Sequence, residues 1–109
     1  MRKTDKKIEN TVIAVLTDVC DIAQETYNGF KWITHFVNYT DFPRSLSVVC
    51  IFDTNEQLKK TAVNELRQLI NEKLLSVNIK LKDVHGQVSF DTEENCNNQN
   101  NGNWDERFK

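Results

Sequence analysis

Two neighbouring strand-like runs, residues 30–39 and 46–52, constrain the fold more than any other feature of the sequence. Both are rich in aromatic and β-branched side chains. The six residues between them include the only proline of the chain and supply turn chemistry. A symmetric loop predicts an antiparallel hairpin in which Ile33 opposes Phe52 and His35 opposes Cys50. These side chains share an apolar face, which we expect to meet the core.

The other face of the hairpin is also half apolar. It carries Trp32 and Phe36 on the first strand and Val49 and Ile51 on the second. Two helices in a two-layer fold cannot easily cover both faces of a sheet. Three explanations stay open: a helix or the tail covers this face, a second copy meets it, or single-stranded nucleic acid stacks on it.

Two main helices flank the hairpin. Apolar residues recur at helical spacing between residues 8 and 27, and an Asn-Gly pair ends the pattern. After the hairpin, Asp53 and Glu56 form a capping-box arrangement. The helix that they begin is predicted to run to about Leu75.

The end of the sequence predicts two more strands. Residues 77–81 alternate between apolar and polar, which is typical of a half-buried strand. His85 and Gly86 predict a tight turn into a last strand over residues 87–90. The fold class is therefore α+β: two layers in the order α-β-β-α-β-β, with a four-stranded, mainly antiparallel sheet and two main helices, in a permuted ferredoxin-like arrangement.

A short internal similarity links residues 51–56 to residues 89–94. Each segment has a strand that ends in Phe, then an Asp-Thr pair, then acidic residues. We interpret this as one strand-to-helix connection used twice, because six residues are too few for a domain repeat. The second copy predicts a short helix near residues 91–96.

Charge divides the chain into three parts. Residues 1–7 form a basic N-terminal arm, residues 8–96 a single α+β domain, and residues 97–109 a polar, Asn-rich C-terminal tail. A chain of 109 residues allows one domain and not two. Because Trp104 and Phe108 are large aromatic side chains in a polar tail, we expect them to clamp onto the body or onto a partner.

Basic residues in two regions make nucleic-acid binding an alternative function. The candidates are Arg2, Lys3, Lys6, Lys7, Lys80 and Lys82. The net charge of -2 excludes a strongly basic nucleic-acid coat. The sequence shows neither a signal-peptide pattern nor a membrane-spanning apolar run, so we expect a cytoplasmic protein without membrane contact.

The candidate catalytic groups form weak patterns. The three cysteines are widely spaced, without the pairs that a zinc site or a disulfide framework needs. A cross-strand His35–Cys50 pair resembles the imidazole–thiol pair of nucleophilic cysteines. Its mid-strand position on the core face instead favours a buried structural pair.

Acidic side chains collect at the ends of two predicted strands. Helix capping explains the first pair, Asp53 and Glu56, and metal binding is the less favoured explanation for the whole group. The residues are Asp53, Glu56, Asp91, Glu93 and Glu94. We therefore predict no catalytic residue, no metal site and no cofactor.

Several segments resemble a small family of uncharacterised proteins from marine and related gammaproteobacteria. The similar segments are residues 32–39, 42–43, 45–54, 79–83 and 101–104. Some members of this family are labelled "Fis family transcriptional regulator", which implies DNA binding through a C-terminal helix-turn-helix. No residue here matches that motif, so the resemblance assigns no functional residue.

The sequence thus predicts a non-enzymatic, small cytosolic interaction or regulatory protein. We expect it to self-associate as a homodimer through the face that carries Trp32 and Phe36. One alternative is a nucleic-acid-binding protein, either a transcriptional regulator or an RNA-binding protein. A second alternative is a small enzyme or metal-binding protein that uses His35 and Cys50 or the acidic strand ends.

Overall fold

The structure is a computed structural model that describes residues 2–109. These residues form helices and strands that alternate along the chain, with a short 3-10 turn at Tyr39–Asp41. The helices are α1 (Lys3–Thr26), α2 (Asn55–Lys59), α3 (Val63–Leu75), α4 (Val84–Gln87), α5 (Glu93–Asn100) and α6 (Trp104–Arg107). The strands are β1 (Phe30–Phe36), β2 (Ser47–Phe52) and β3 (Val88–Thr92).

The sheet has three strands in the order β1-β2-β3, which confirms the α+β class but not the predicted topology. β1 and β2 are antiparallel, whereas β2 and β3 are parallel. A parallel pair needs a long crossover, and α2, α3 and α4 supply it. The prediction of a four-stranded, mainly antiparallel sheet in the order α-β-β-α-β-β is therefore wrong.

The predicted hairpin forms, but its register differs from the prediction by two residues. Ile33 pairs with Cys50, and His35 pairs with Val48. The two-residue difference leaves each side chain on its predicted face, because side chains alternate with a period of two. A register irregularity between Phe30 and Trp32 puts Phe30 in the core and leaves Trp32 on the other face.

The predicted strand over residues 77–81 does not form: residues 76–78 are a turn, and residues 79–81 lie outside the sheet. The alternation of apolar and polar residues does predict which side chains are buried: Ile79 and Leu81 are each 5% exposed, whereas Lys80 and Lys82 are exposed. The segment has no strand partner because α3 ends in a left-handed turn at Asn78, with φ of 64°. Periodicity detects a buried side, but it does not detect whether the backbone finds a partner.

The predicted turn at His85 and Gly86 is also corrected: these residues lie in α4, a single helical turn. Asp83 caps this turn by accepting a hydrogen bond from the Gly86 N–H. Gln87 ends it with a buried side chain that donates to the carbonyl oxygens of Pro43 and Leu46, each at 2.9 Å. This buried amide ties the start of β3 to the loop between β1 and β2.

The second predicted helix is two helices. Its cap is Thr54 rather than Asp53, and Gln57 rather than Glu56 completes the capping box. The predicted helix is interrupted between Lys59 and Val63, where the Thr61 hydroxyl donates to the Gln57 carbonyl. The predicted end at Leu75 agrees with the end of α3.

The core lies on one face of the sheet, under α1 and α3. The two helices pack against each other, and α1 also packs along β1. Side chains from both helices and all three strands form one buried cluster, which includes Val12, Leu16, Val48, Cys50, Phe52, Leu66, Ile70 and Val88. Most of the predicted basic arm is the first turns of α1, since this helix begins at Lys3; Met1 lies outside the described residues.

Candidate functional site

The second face of the sheet, opposite the core, carries the predicted interaction residues. Trp32 pairs with Ile51, which pairs with Asp91, so these three residues form one row across the sheet. In the next row, Val49 lies between Thr34 and Ser89.

These residues differ widely in exposure. Val49 is 8% exposed and Ile51 is fully buried, although both lie outside the main core cluster. Phe36 is 44% exposed, and Trp32 is half-buried. Something must therefore cover the centre of this face.

The cover is the C-terminal segment of the same chain. We call residues 103–109, which contain α6, the clasp. Trp104 packs edge-on against Trp32 with ring centroids 5.0 Å apart, and Phe108 packs against Phe36 at 5.1 Å. Trp104 and Phe108 stack on each other at 5.2 Å. The expected clamp by the tail aromatics thus forms on the body of the chain.

Glu93 joins the two tryptophans through its carboxylate. Oε1 accepts a hydrogen bond from Trp32 Nε1 at 2.6 Å, and Oε2 accepts one from Trp104 Nε1 at 3.4 Å. Indole N–H groups need an acceptor when they are buried, and a single side chain serves both here. Glu93, in the acidic first turn of α5, thus also orients the clasp.

An ion pair between Arg107 and Asp91 makes the second polar attachment of the clasp. Arg107 Nε lies 2.5 Å from Asp91 Oδ2, and Nη2 lies 3.0 Å from Oδ1, a bidentate arrangement. Burial alone would raise the pKa of Asp91. The hydrogen bonds from Arg107, Thr92 and Asn95 outweigh burial and lower this pKa.

A sharp reversal connects the clasp to α5. Asn101 has φ of 53° and Gly102 has φ of 77°, both in the left-handed region. The Gly102 N–H donates to the carbonyl of Cys96, whose own side chain is buried. This reversal, which we call the hinge (residues 101–102), returns the chain to the sheet.

The predicted His35–Cys50 pair is not brought together, because the register places Ile33 opposite Cys50. Burial raises the pKa of Cys50 to about 12, so its thiol stays protonated near neutral pH. His35 Nε2 instead lies 2.6 Å from Glu9 Oε1.

Glu9 and Tyr39 complete a polar cluster with His35 that the sequence analysis missed. The Tyr39 hydroxyl donates to the second oxygen of Glu9. This hydrogen bond, followed by the contact with His35, outweighs burial and lowers the pKa of Glu9. Glu9 lies three residues before the buried Val12, and a carboxylate at that helical spacing was the available signal for a partnered acid.

The acidic strand ends do meet, but Thr54 and Thr92, not the acidic side chains, are the N-caps of α2 and α5. β2 and β3 end side by side, with Phe52 paired to Thr92. The Asn55 N–H donates to Glu94 Oε1, and the Glu94 N–H donates to the Asp53 carbonyl. Within residues 2–109, no group of three or more His, Cys, Asp or Glu side chains could hold a metal ion.

The candidate basic residues separate into two groups. Lys7, Lys80 and Lys82 line adjoining cavities that share Asn78. Arg2, Lys3 and Lys6 are exposed on the first turns of α1 and line neither of these cavities. Lys80 and Lys82 line these cavities together with residues that do not belong to the Trp32 face.

Comparisons with known proteins add no relative to these observations. No family model matches the chain, and no curated protein or solved structure is significantly similar to it. In the part of the chain that the structure describes, no helix is both long and apolar enough to cross a membrane.

Proposed function

We propose that this chain is a non-enzymatic interaction protein that self-associates through the face carrying Trp32 and Phe36. In the associated form, the clasp of each copy occupies this face of the other copy. One observation carries the proposal: a short C-terminal segment, and not a helical layer of the core, covers the apolar face. The segment holds on mainly through Trp104, Arg107 and Phe108.

The contacts of the clasp are as favourable between two copies as within one. An exchanged clasp would place Trp104 on Trp32 and Arg107 on Asp91 with the same chemistry. Exchange of an identical element is a low-cost route to a dimer, because it needs no new interface. Only the hinge would change its conformation.

The balance between the closed and exchanged forms depends on the hinge and on concentration. A short flexible connection gives the clasp an effective concentration on the order of millimolar at its own face. Asn101 and Gly102 favour the closed form, because these two residue types adopt the left-handed backbone region readily. We therefore expect a monomer in dilute solution and a dimer as concentration rises.

Light scattering and sedimentation velocity over a concentration series test the proposal. The wild-type mass should rise towards that of a dimer, and Trp32→Glu with Phe36→Glu should keep the chain monomeric. Ile13→Glu is the matched control, since Ile13 is 46% exposed but lies on α1. It should leave the association unchanged. Circular dichroism must show that the helices persist in each variant.

Hinge variants separate clasp exchange from other kinds of association. Deletion of Asn101 and Gly102 prevents the chain reversal, so the deletion should shift the protein towards dimer. Insertion of Gly-Ser-Gly after Gly102 relaxes the reversal and should shift it towards monomer. A wild type and a hinge deletion that both stay monomeric at every concentration would sink the proposal.

A further inference from the structure

A groove runs beside residues 77–82, which follow α3. One cavity, of about 480 Å³, is lined by Pro43, Asn78, Lys80, Leu81 and Lys82. A second, of about 300 Å³, is lined by Lys7, Ile8, Thr11, Phe42, Val77, Asn78 and Ile79. The two share Asn78, and Phe42 and Pro43 are neighbours in the chain. We call the combined feature the basic groove.

The charge of the basic groove is of one sign. It contains three lysines and no Asp or Glu, although the whole chain has a net charge of -2. Lys7, Lys80 and Lys82 are exposed, and none of them forms an ion pair within residues 2–109. A concave surface with positive charges of this kind attracts an anionic ligand.

The floor of the basic groove is apolar. Phe42 and Ile8 pack against the core cluster while also lining the groove, and Val77 is 36% exposed. A ligand complementary to this groove has anionic groups that face the lysines and a flat apolar group that packs on the floor. A simple inorganic anion would leave the apolar floor unused.

The spacing of the lysines suits a repeating anion. Buried Ile79 and Leu81 alternate with exposed Lys80 and Lys82, the pattern of an extended backbone, so the two lysines project to the same, exposed side. Residues two apart in an extended chain lie about 6.6 Å from each other. Successive phosphates of an extended single strand have a similar spacing.

We propose that the basic groove binds single-stranded nucleic acid. Lys7, Lys80 and Lys82 contact successive phosphates, and a base lies on Phe42 and the apolar floor. Base stacking on aromatic side chains tolerates any sequence, so binding depends on the backbone and on salt. This site is distinct from the clasp face and does not depend on self-association.

Fluorescence anisotropy of a labelled oligouridylate and a labelled oligothymidylate, each about twelve nucleotides long, tests the proposal. The logarithm of affinity should fall with the logarithm of salt concentration with a slope of about -2, because each of three phosphate contacts contributes about -0.7. Lys80→Gln with Lys82→Gln should reduce the slope to about -0.7 and weaken binding several-fold at low salt. Lys31→Gln with Lys59→Gln is the matched control: both lysines are exposed and outside the groove.

Two further readouts distinguish this site from others. Both tryptophans lie at the clasp, so nucleic acid in the basic groove should leave their fluorescence unchanged. Quenching would place the ligand on the clasp face and overturn the assignment. The assignment would also be overturned if the groove variant and the control variant lost affinity equally. It would likewise be overturned if polyglutamate displaced the labelled oligonucleotide as well as unlabelled oligonucleotide does, which would indicate an acidic peptide as the ligand. No anisotropy change at low salt would exclude nucleic acid altogether.

Discussion

The two faces of the sheet are both apolar, but they are covered in different ways. On the core face, α1 and α3 supply fully buried side chains along their length, including Val12, Val19, Leu66 and Ile70. On the clasp face, the covering segment attaches through two aromatic pairs, the Glu93 carboxylate and Arg107, which pairs with Asp91 and also donates to Gln99 and Asn100. The core face therefore has many mutually supporting contacts, whereas the clasp face has few.

This difference means that the two coverings can have different stabilities within one domain. Segments with few buried apolar contacts open at a lower free energy than the core does. The buried side chain of α5 is Cys96, and the rest of that helix is polar or charged. We expect the clasp to open while the core stays folded, which the proposed exchange requires.

The largest expected effect comes from the core face. Ile70→Ala should reduce the free energy of unfolding by about 3 kcal/mol, because it leaves a cavity beside fully packed neighbours. Urea unfolding followed by circular dichroism measures this loss. A loss below about 1 kcal/mol would show that Ile70 of α3 is not packed in the core.

Removal of the main clasp contact should have a smaller and more local effect. Trp104→Ala should destabilise the closed clasp by about 2 kcal/mol, because Trp104 is only half-buried and its loss removes ring contacts with Trp32 and Phe108. Hydrogen exchange should speed up in α6 but not in α3. Equal loss of protection in both helices would remove the distinction between the two faces.

The ion pair of the clasp should contribute less again. A double-mutant cycle with Arg107→Ala and Asp91→Asn should give a coupling energy of about 1–2 kcal/mol, since the pair is bidentate and both side chains are largely buried. The exposed Lys109–Glu106 pair is the control, and its coupling should be close to zero. Similar values for the two pairs would contradict a specific role for Arg107.

Acid should release the clasp with the smallest effect. Because the folded pKa of Asp91 lies below its unfolded value, its stabilisation is complete above pH of about 4 and is lost as pH falls through the folded pKa. Tryptophan emission should shift to longer wavelength in this range before circular dichroism changes. Asp91→Asn should abolish the part of this shift that depends on pH, and an unchanged acid transition in that variant would contradict the assignment.

The elements that sequence reasoning identified correctly are those with strong local periodicity. The helical spacing of α1 and the end of α3 at Leu75 follow from side chains close together in the chain. The sequence also identified the apolar character of both faces of β1 and β2. The amphipathic pattern over residues 53–75 continues through the break between α2 and α3, so it does not predict the break. A hydrogen bond from the Thr61 hydroxyl marks the break instead.

The errors concern partners that are distant in the chain. Residues 77–81 show the alternation of a strand, yet the turn at Asn78 directs them outside the sheet, and residues 88–92 take the place beside β2. Glu9 and Gln87 each form a hydrogen bond with a group more than twenty positions away in the chain. Nothing local distinguishes such residues from solvated ones.

The sequence by itself determined the α+β class, the helical pattern of α1 and of α3, and the presence of two apolar sheet faces, because these depend on periodicity within one element. Only the tertiary structure decided that β3 lies parallel to β2, that the chain's own clasp covers the second face, and that Lys7 lies beside Lys80 and Lys82 in one groove. The physical reason is that an apolar face specifies that it must be covered but not by which segment. That choice depends on chain reversals, such as the one at Asn101 and Gly102, which bring distant residues together.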